Sequence, residues 1–446
     1  MKQETKFYQT VIKIALPVTL QSLLQSSFSV VDQLMIGRLG SSSIAGVGLA
    51  AKFASLYSVL LAAIATAAGI MIAQYIGQKQ EREVGRSFFA NLLLSVGLAA
   101  VFIVLCIGIP EHIMWLYTKE AATRQVAVGY LRILALSYLP MAISSICATM
   151  LRCMEAAVYP LYAGIIGAVF NTGLNYLLIF GKLGFPRMDV KGAAVATVIS
   201  QFVTGILTLL FLAIRLKKQE MKLPFLWRFD GAKRLQYLGI LCPIIVCEFF
   251  WSLGENVYTA IYGNIGTDAC AAMTLTIPIQ TLVIGALSGL AQAAGIIIGK
   301  SLGQASFEKA YAESKKLMLY GIGGSVILSL VLVLTGSLYV KIYAVEETVQ
   351  AMAYQLLSVF ALVSPVKVQN MILGGGILRS GGKTKYLMWI DIIGTWCFGV
   401  PAGLLAAFAW KLSIPYVYLL LSMEECVRLA ISLVLFRKKK WMHSLE

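Results

Sequence analysis

Charge is what this 446-residue chain has least of: Asp, Glu, Lys and Arg together make up 13% of it, about half the usual share for a soluble protein. A water-exposed globule of this size would lack the polar side chains to cover itself, so the roughly three soluble domains that length alone would give are excluded. Histidine occurs only at His112 and His443. The eight cysteines (Cys106, Cys147, Cys153, Cys242, Cys247, Cys270, Cys397 and Cys426) form no C-x-x-C pair and lie mostly inside apolar runs. A zinc or haem centre and a disulfide framework are therefore not expected. There is no G-x-x-x-x-G-K-S/T loop for nucleotide phosphates, no nucleophile elbow and no metalloprotease helix. The chain reads as a protein that is not an enzyme, carries no cofactor and does not use ATP directly. No cleavable leader is expected either, because the first apolar stretch, from Val11 to Ile36, is too long for a signal-peptide core.

What is abundant is apolar sequence, 59% of the chain. Runs such as Ser87–Ile109 and Leu317–Leu338 reach the ~20 residues that cross a ~30 Å hydrocarbon core. Twelve spans can be drawn, the first beginning near residue 11 and the last covering 413–436, so both termini lie on one side. Connections on that side hold 24 Lys and Arg, against about eight on the other, and this bias puts both termini in the cytoplasm. The net charge of +16 is gathered at Arg215–Arg234 and Arg437–Lys440, where it sets membrane orientation. No nucleic-acid partner is expected. The partners are the lipid bilayer and small organic substrates, the chain is expected to act as a monomer, and its location is the inner (plasma) membrane.

The two halves repeat. Pro17 matches Pro243 at an offset of 226, and "IGRLG" (Ile36–Gly40) matches "YGNIG" (Tyr262–Gly266). "AAGIMIAQYIGQ" (Ala67–Gln78) matches "AAGIIIGKSLGQ" (Ala293–Gln304), with Gly69 on Gly295 and Gly77 on Gly303. At an offset of 227, "LRCMEAAVY" (Leu151–Tyr159) matches "LRSGGKTKY" (Leu378–Tyr386). Six spans per copy is an even number, so the copies are parallel repeats, an arrangement that builds transporters in which two bundles rock about a site between them. The expected fold is an all-α membrane protein of twelve transmembrane helices in two six-helix bundles related by pseudo-two-fold symmetry. The lobes are 1–214 and 236–446, joined by a basic cytoplasmic linker, 215–235.

Three stretches carry a family resemblance. "VVDQLMIGRLG" (Val30–Gly40), "NTGLNYLLIFGKLGFPRMDVKGAAVAT" (Asn171–Thr197) and "LRSGGKTK" (Leu378–Lys385) resemble the first-helix, fifth-to-sixth-helix and tenth-helix signatures of the multidrug and toxic compound extrusion (MATE) family. The resemblance covers nearly the whole chain and agrees with the repeat.

Ionisable groups inside spans are costly and mark function by default. Asp32 is the sharpest. On a 3.6-residue period it shares a face with Gln21 and Gln25, a polar stripe that should face a cavity. It reads as a carboxylate that binds a coupling proton or Na⁺, or else as an interfacial acid pairing with Arg38. Asn171 and Asn175 are spaced i,i+4 on one face of the fifth span, with Thr197 in the sixth, and hydrogen bonding between helices is their plain structural account. The resemblance implies that Asp32, Asn171, Asn175 and Thr197 form the cation site of the amino-terminal lobe. Some relatives carry a second carboxylate where this chain has Asn175, and its absence favours proton over Na⁺ coupling. No firm metal site is expected beyond Na⁺ at Asp32.

In the second half Asp32 is matched by Tyr258. Glu248 and Glu255 share a face of the seventh span with Ser252. Relatives that bind Na⁺ through a seventh-helix glutamate align it nearer Trp251, so neither acid carries over. Lys367 in the tenth span is expected either to neutralise Glu248 or Glu255 or to stand alone against an acidic cavity. Pairing with Arg428 is the plain account of Asp391, Glu424 and Glu425. Met35, Met71, Phe249, Phe250, Trp251 and Trp396 are available to line a pocket for flat cations.

The resulting expectation is a cation-coupled antiporter, H⁺ favoured over Na⁺, that exports amphipathic cationic drugs or metabolites by alternating access. A lipid-linked oligosaccharide flippase of the wider superfamily is the alternative, and it predicts a more cationic cavity. A membrane enzyme or receptor has no supporting constellation. The exported compound is not legible.

Overall fold

The computed structural model describes residues 2–226, 228, 230–342 and 345–445. Among them there is no β-strand, as expected where hydrocarbon leaves backbone N–H and C=O groups no partner outside their own segment. Eleven helical stretches are long and apolar enough to cross a bilayer. The twelfth expected span, 413–436, is two shorter helices, Ile414–Ser422 and Glu424–Arg437. They meet at Met423, whose N–H reaches the carbonyls of both Leu419 (3.1 Å) and Leu420 (3.2 Å). Such a bifurcated bond tightens one turn without ending the span.

The helices sort into two compact units, and the grouping follows packing more than chain order. One unit holds Leu20–Ile72 and Lys79–Phe229; the other holds Met1–Thr19, Ala73–Gln78 and Asp230–Glu446. The first unit takes the carboxy-terminal part of α1 (Lys2–Gly37), most of α2 (Ser41–Gln78), α3 (Glu81–Gly108), the short α4 (Pro110–Trp115), α5 (Ala121–Leu134), α6 (Tyr138–Cys153), α7 (Val158–Phe180) and α8 (Asp189–Lys218). α5 and α6 run on through a tighter turn at Ala135–Ser137 as one stretch, Ala121–Cys153. The second unit is built on α9 (Gly231–Ile265), α10 (Thr267–Gly303), α11 (Phe307–Val340) and α12 (Glu347–Asn370), which widens into a π-helical segment at Met371–Leu378. Then come α13 (Thr384–Ile392), α14 (Val400–Leu404), α15 (Ile414–Ser422) and α16 (Glu424–Arg437).

Outward faces are apolar too. On α11, Ile327, Leu330, Leu334 and Leu338 are exposed at helical spacing, a stripe that would be a liability in water and suits lipid.

Two local features position the site. In the first unit, α7 ends on Gly181, whose left-handed φ of +65° caps the helix through the carbonyl of Leu177. The chain then returns along α8, where a Cβ at Gly192 would stand 2.8 Å from the Leu178 carbonyl oxygen. The bare α-carbon lets α7 and α8 pack at backbone contact, which sets Asn171 and Asn175 beside Thr197 and Ser200. In the second unit, the ends of α2 and α10 cross through the repeated motif. A Cβ on Gly77 would collide with the Lys300 carbonyl, and one on Gly303 with the Gln74 carbonyl. A Cβ on Gly299 would lie 3.1 Å from that of Ala73. Small residues four apart on both helices allow this approach, as at other membrane helix crossings.

Gly77→Val or Gly303→Val forces a side chain against backbone at that crossing. Each is expected to destabilise the protein by about 1–3 kcal/mol, the usual cost of overpacking, read as a lowered thermal midpoint of the detergent-solubilised protein. An unchanged midpoint for both variants would show that the crossing is not tightly packed.

Candidate functional site

In the first unit the polar faces of α1, α6, α7 and α8 enclose a cavity of about 670 Å³. Gln21, Gln25, Asp32, Asn171 and Thr197 line it, together with Ser144, Ser145, Ser200, Thr204 and Arg152. The polar stripe read from the period of α1 is thus a cavity wall. Asp32 is half-buried. Asn175, buried behind it, donates from Nδ2 to Asp32 Oδ1 at 2.7 Å and to Asn171 Oδ1 at 3.1 Å. One end of the Asn171 amide lies 3.0 Å from both carboxylate oxygens of Asp32. The other end is 3.4 Å from Thr197 Oγ1 and 3.4 Å from Ser200 Oγ. Asp32, Asn171, Asn175 and Thr197 are therefore brought into one hydrogen-bonded group. Two members went unnamed in the sequence reading. Ser200 follows Thr197 by three residues and shares its face. Tyr130, buried in α5, interacts with both Asp32 and Thr197; nothing in its local sequence marks it. Met35 packs against the apolar core of this unit and does not line the cavity.

The second unit has its own cavity, of about 400 Å³. Glu248, Trp251, Glu255 and Lys367 line it, and so do Arg379, Asp391, Glu425 and Arg428. Of the two acids that Lys367 is expected to neutralise, Glu255 does interact with it electrostatically, whereas Glu248 has another partner. Glu248 Oε1 lies 3.6 Å from Arg379 Nη1, because Arg379, counted by sequence among cytoplasmic loop residues, sits at the end of the π-helical segment of α12 and turns into the cavity. Lys367 interacts electrostatically with Glu255 and Glu425 and sits 5.7 Å from the Tyr418 ring centre. Among the described residues it forms no ion pair within 4 Å. Nor does it stand alone, since Arg379 and Arg428 are there as well.

Arg428 is the hub. It lies 3.3 Å from Glu424, 3.7 Å from Asp391 and 3.9 Å from Glu425, and it donates to Thr395 Oγ1. Asn370 adds a donor to Glu425 at 2.8 Å, and Tyr258 donates to Glu424 Oε2. Tyr258 is thus a core residue, placed behind the cavity wall. Met71 is fully buried, whereas Phe249 is exposed.

A repeated six-helix unit crossing the bilayer, with a carboxylate group in one cavity and an ion network with more acids than bases in the other, defines a polytopic carrier. The chain belongs to the MATE family: the family model MatE matches residues 17–177 and again 243–405, with starts 226 residues apart, once in each half. It is 22% identical over 437 residues to an uncharacterized transporter, YisQ, of Bacillus subtilis, covering 96% of this chain and 93% of that one. It is 26% identical over 410 residues to a probable multidrug resistance protein, NorM, of Mesorhizobium japonicum, covering 89% and 86%. Among solved structures, a single-residue variant of the Vibrio cholerae MATE transporter VcmN superposes with a TM-score of 0.89 at 15% identity over 98% of both chains. The protein is an integral membrane protein of a multidrug-transporter family, and its relatives are named as transporters, not enzymes.

Removing Arg428 would leave Asp391, Glu424 and Glu425 without their shared cation. Arg428→Met is expected to cost about 3–5 kcal/mol of stability, as when one partner of a buried pair is deleted. Thermal unfolding in detergent reads this. A midpoint equal to the wild type would show that water already screens the cluster.

Proposed function

We propose that the chain is a cation-coupled antiporter that exports amphipathic, cationic organic compounds by alternating access, with the proton as favoured coupling ion and Na⁺ as the alternative. It would work as a monomer in the plasma membrane with both termini in the cytoplasm, the side favoured by the basic connections. The observation that carries this reading is Asp32, a lone carboxylate on a cavity wall held by two asparagine amides. An ionised carboxylate only accepts hydrogen bonds, so the nitrogens of both Asn175 and Asn171 turn toward it. A protonated one also donates, and the Asn171 oxygen, at 3.0 Å, is the acceptor in reach. Turning that amide changes what its far end offers Thr197 and Ser200. One proton on α1 is thereby felt on α8 through α7.

In the proposed cycle Asp32 takes a proton from outside, its loss of charge weakens the hold on a cationic substrate, and the substrate leaves outward. The loaded carrier then returns inward and releases the proton. One charge moved through 100 mV is worth ~2.3 kcal/mol, enough to bias the cycle by more than about tenfold. The flippase reading draws on the basic groups that the sequence placed elsewhere. Even so, the cavity of the second unit has four lining acids against Lys367, Arg379 and Arg428, which supports export of cations better. Loss of envelope polymer synthesis in a strain lacking this protein would reverse that preference.

Reconstituted in liposomes, the wild type is expected to drive efflux of ethidium under an imposed pH gradient, and Asp32→Asn to abolish it. Full gradient-driven efflux by that variant refutes coupling through Asp32. A response to a Na⁺ gradient alone would replace the proton by Na⁺.

A further inference from the structure

The first-unit cavity has two ends. Lining residues run along α7 from Asn171 back to Pro160 and along α8 from Thr197 to Thr208, twelve residues each, so that the first and last are about 16 Å apart along the helix. Asp32 marks one end. Arg152 marks the other: it closes α6 one residue before its end and is joined to Pro160 through the short turn that opens α7. Arg152 lines the cavity, its Nε is buried without a hydrogen-bond partner, and it forms no ion pair among the described residues.

The repeat supplies an internal control. Arg152 matches Arg379 at the 227 offset, and Arg379 is neutralised by Glu248 at 3.6 Å. The position matching Glu248 at the 226 offset is Ser22. The same arginine thus occurs twice, paired with an acid in one cavity and left with an open guanidinium in the other. A cation held in a membrane-embedded cavity without a counter-charge is expensive. A planar guanidinium is suited to bind a carboxylate through two parallel hydrogen bonds.

We propose that Arg152 is an anion subsite of the export cavity, so that preferred substrates carry a carboxylate, or a like oxyanion, in addition to their cationic centre. The substrate lies with its acid on Arg152 and its cationic end pointing along Gln21 and Gln25 toward Asp32. Arg152 then selects among amphipathic cations, while Asp32 couples. This rests on the export reading given above.

The test uses rhodamine B, which carries a free carboxylate, and its ethyl ester, which does not. Full-length protein in detergent is titrated with each dye and followed by fluorescence polarisation. The wild type is expected to favour rhodamine B. Arg152→Gln should weaken rhodamine B by roughly tenfold or more, the scale of one charge-assisted hydrogen bond, and leave the ester unchanged, which also shows that the variant is folded. Arg152→Lys should retain part of the preference. Equal binding of both dyes by the wild type, or equal weakening of both by Arg152→Gln, overturns the subsite and leaves the export reading standing. A wild type that binds neither dye overturns the export reading and the subsite together. If a lipid phosphate holds Arg152, rhodamine B affinity will fall in vesicles containing phosphatidylglycerol relative to phosphatidylcholine, which also overturns the assignment to substrate.

Discussion

A charge inside hydrocarbon must find either a partner or a polar cavity, and the chain's few intramembrane charges are distributed by that requirement. In the second unit they are gathered: Arg428 holds three carboxylates, Arg379 holds Glu248, and Lys367 faces Glu255 and Glu425. Removing any one leaves the rest uncompensated, so the group is structural as much as it is a cavity lining. In the first unit the charges are few and far apart, and neutral amides and hydroxyls make up the rest of the wall. A proton gained or lost there changes a hydrogen-bond pattern without breaking an ion network. The two cavities therefore differ in how much a single titration can move.

How much of this was legible depended on whether the relevant partners were local in sequence. The stripe of Gln21, Gln25 and Asp32 follows from one helical period, and Asn171 and Asn175 from i,i+4 spacing. The α7–α8 hairpin that joins them to Thr197 lies within a single stretch of 27 residues. Ion partners were harder. Arg379 and Glu248 are separated by more than a hundred residues, and Arg379 reads as a loop residue because its neighbours are polar glycine-rich sequence. Tyr258 occupies the repeat position of Asp32, which would suggest a cavity wall, yet its hydroxyl turns to Glu424 and the ring joins the core. Arg428 was the exception: its i−4 and i−3 spacing to Glu424 and Glu425 made that pairing readable.

The duplicate arginines and acids show how symmetry in backbone can carry asymmetry in chemistry. The scaffold positions, proline and glycine above all, were kept alike in both copies, whereas Asp32 stands against Tyr258 and Ser22 against Glu248. One copy spends its polar positions on a counter-charged cluster and the other on an open binding wall.

The crossing of α2 and α10 has a further meaning. Gly77 receives Lys300 and Gly303 receives Gln74, and each of these positions is the other's duplicate. The contact is thus isologous, the form an interface takes when two identical subunits meet about a two-fold axis, here closed within one polypeptide. Any change at one glycine alters the surface against which its own twin is packed. Duplicated segments that touch nothing in common can drift independently, but these two constrain each other. That mutual constraint fits a motif whose two copies still agree at seven of twelve positions, the pair of contact glycines among them.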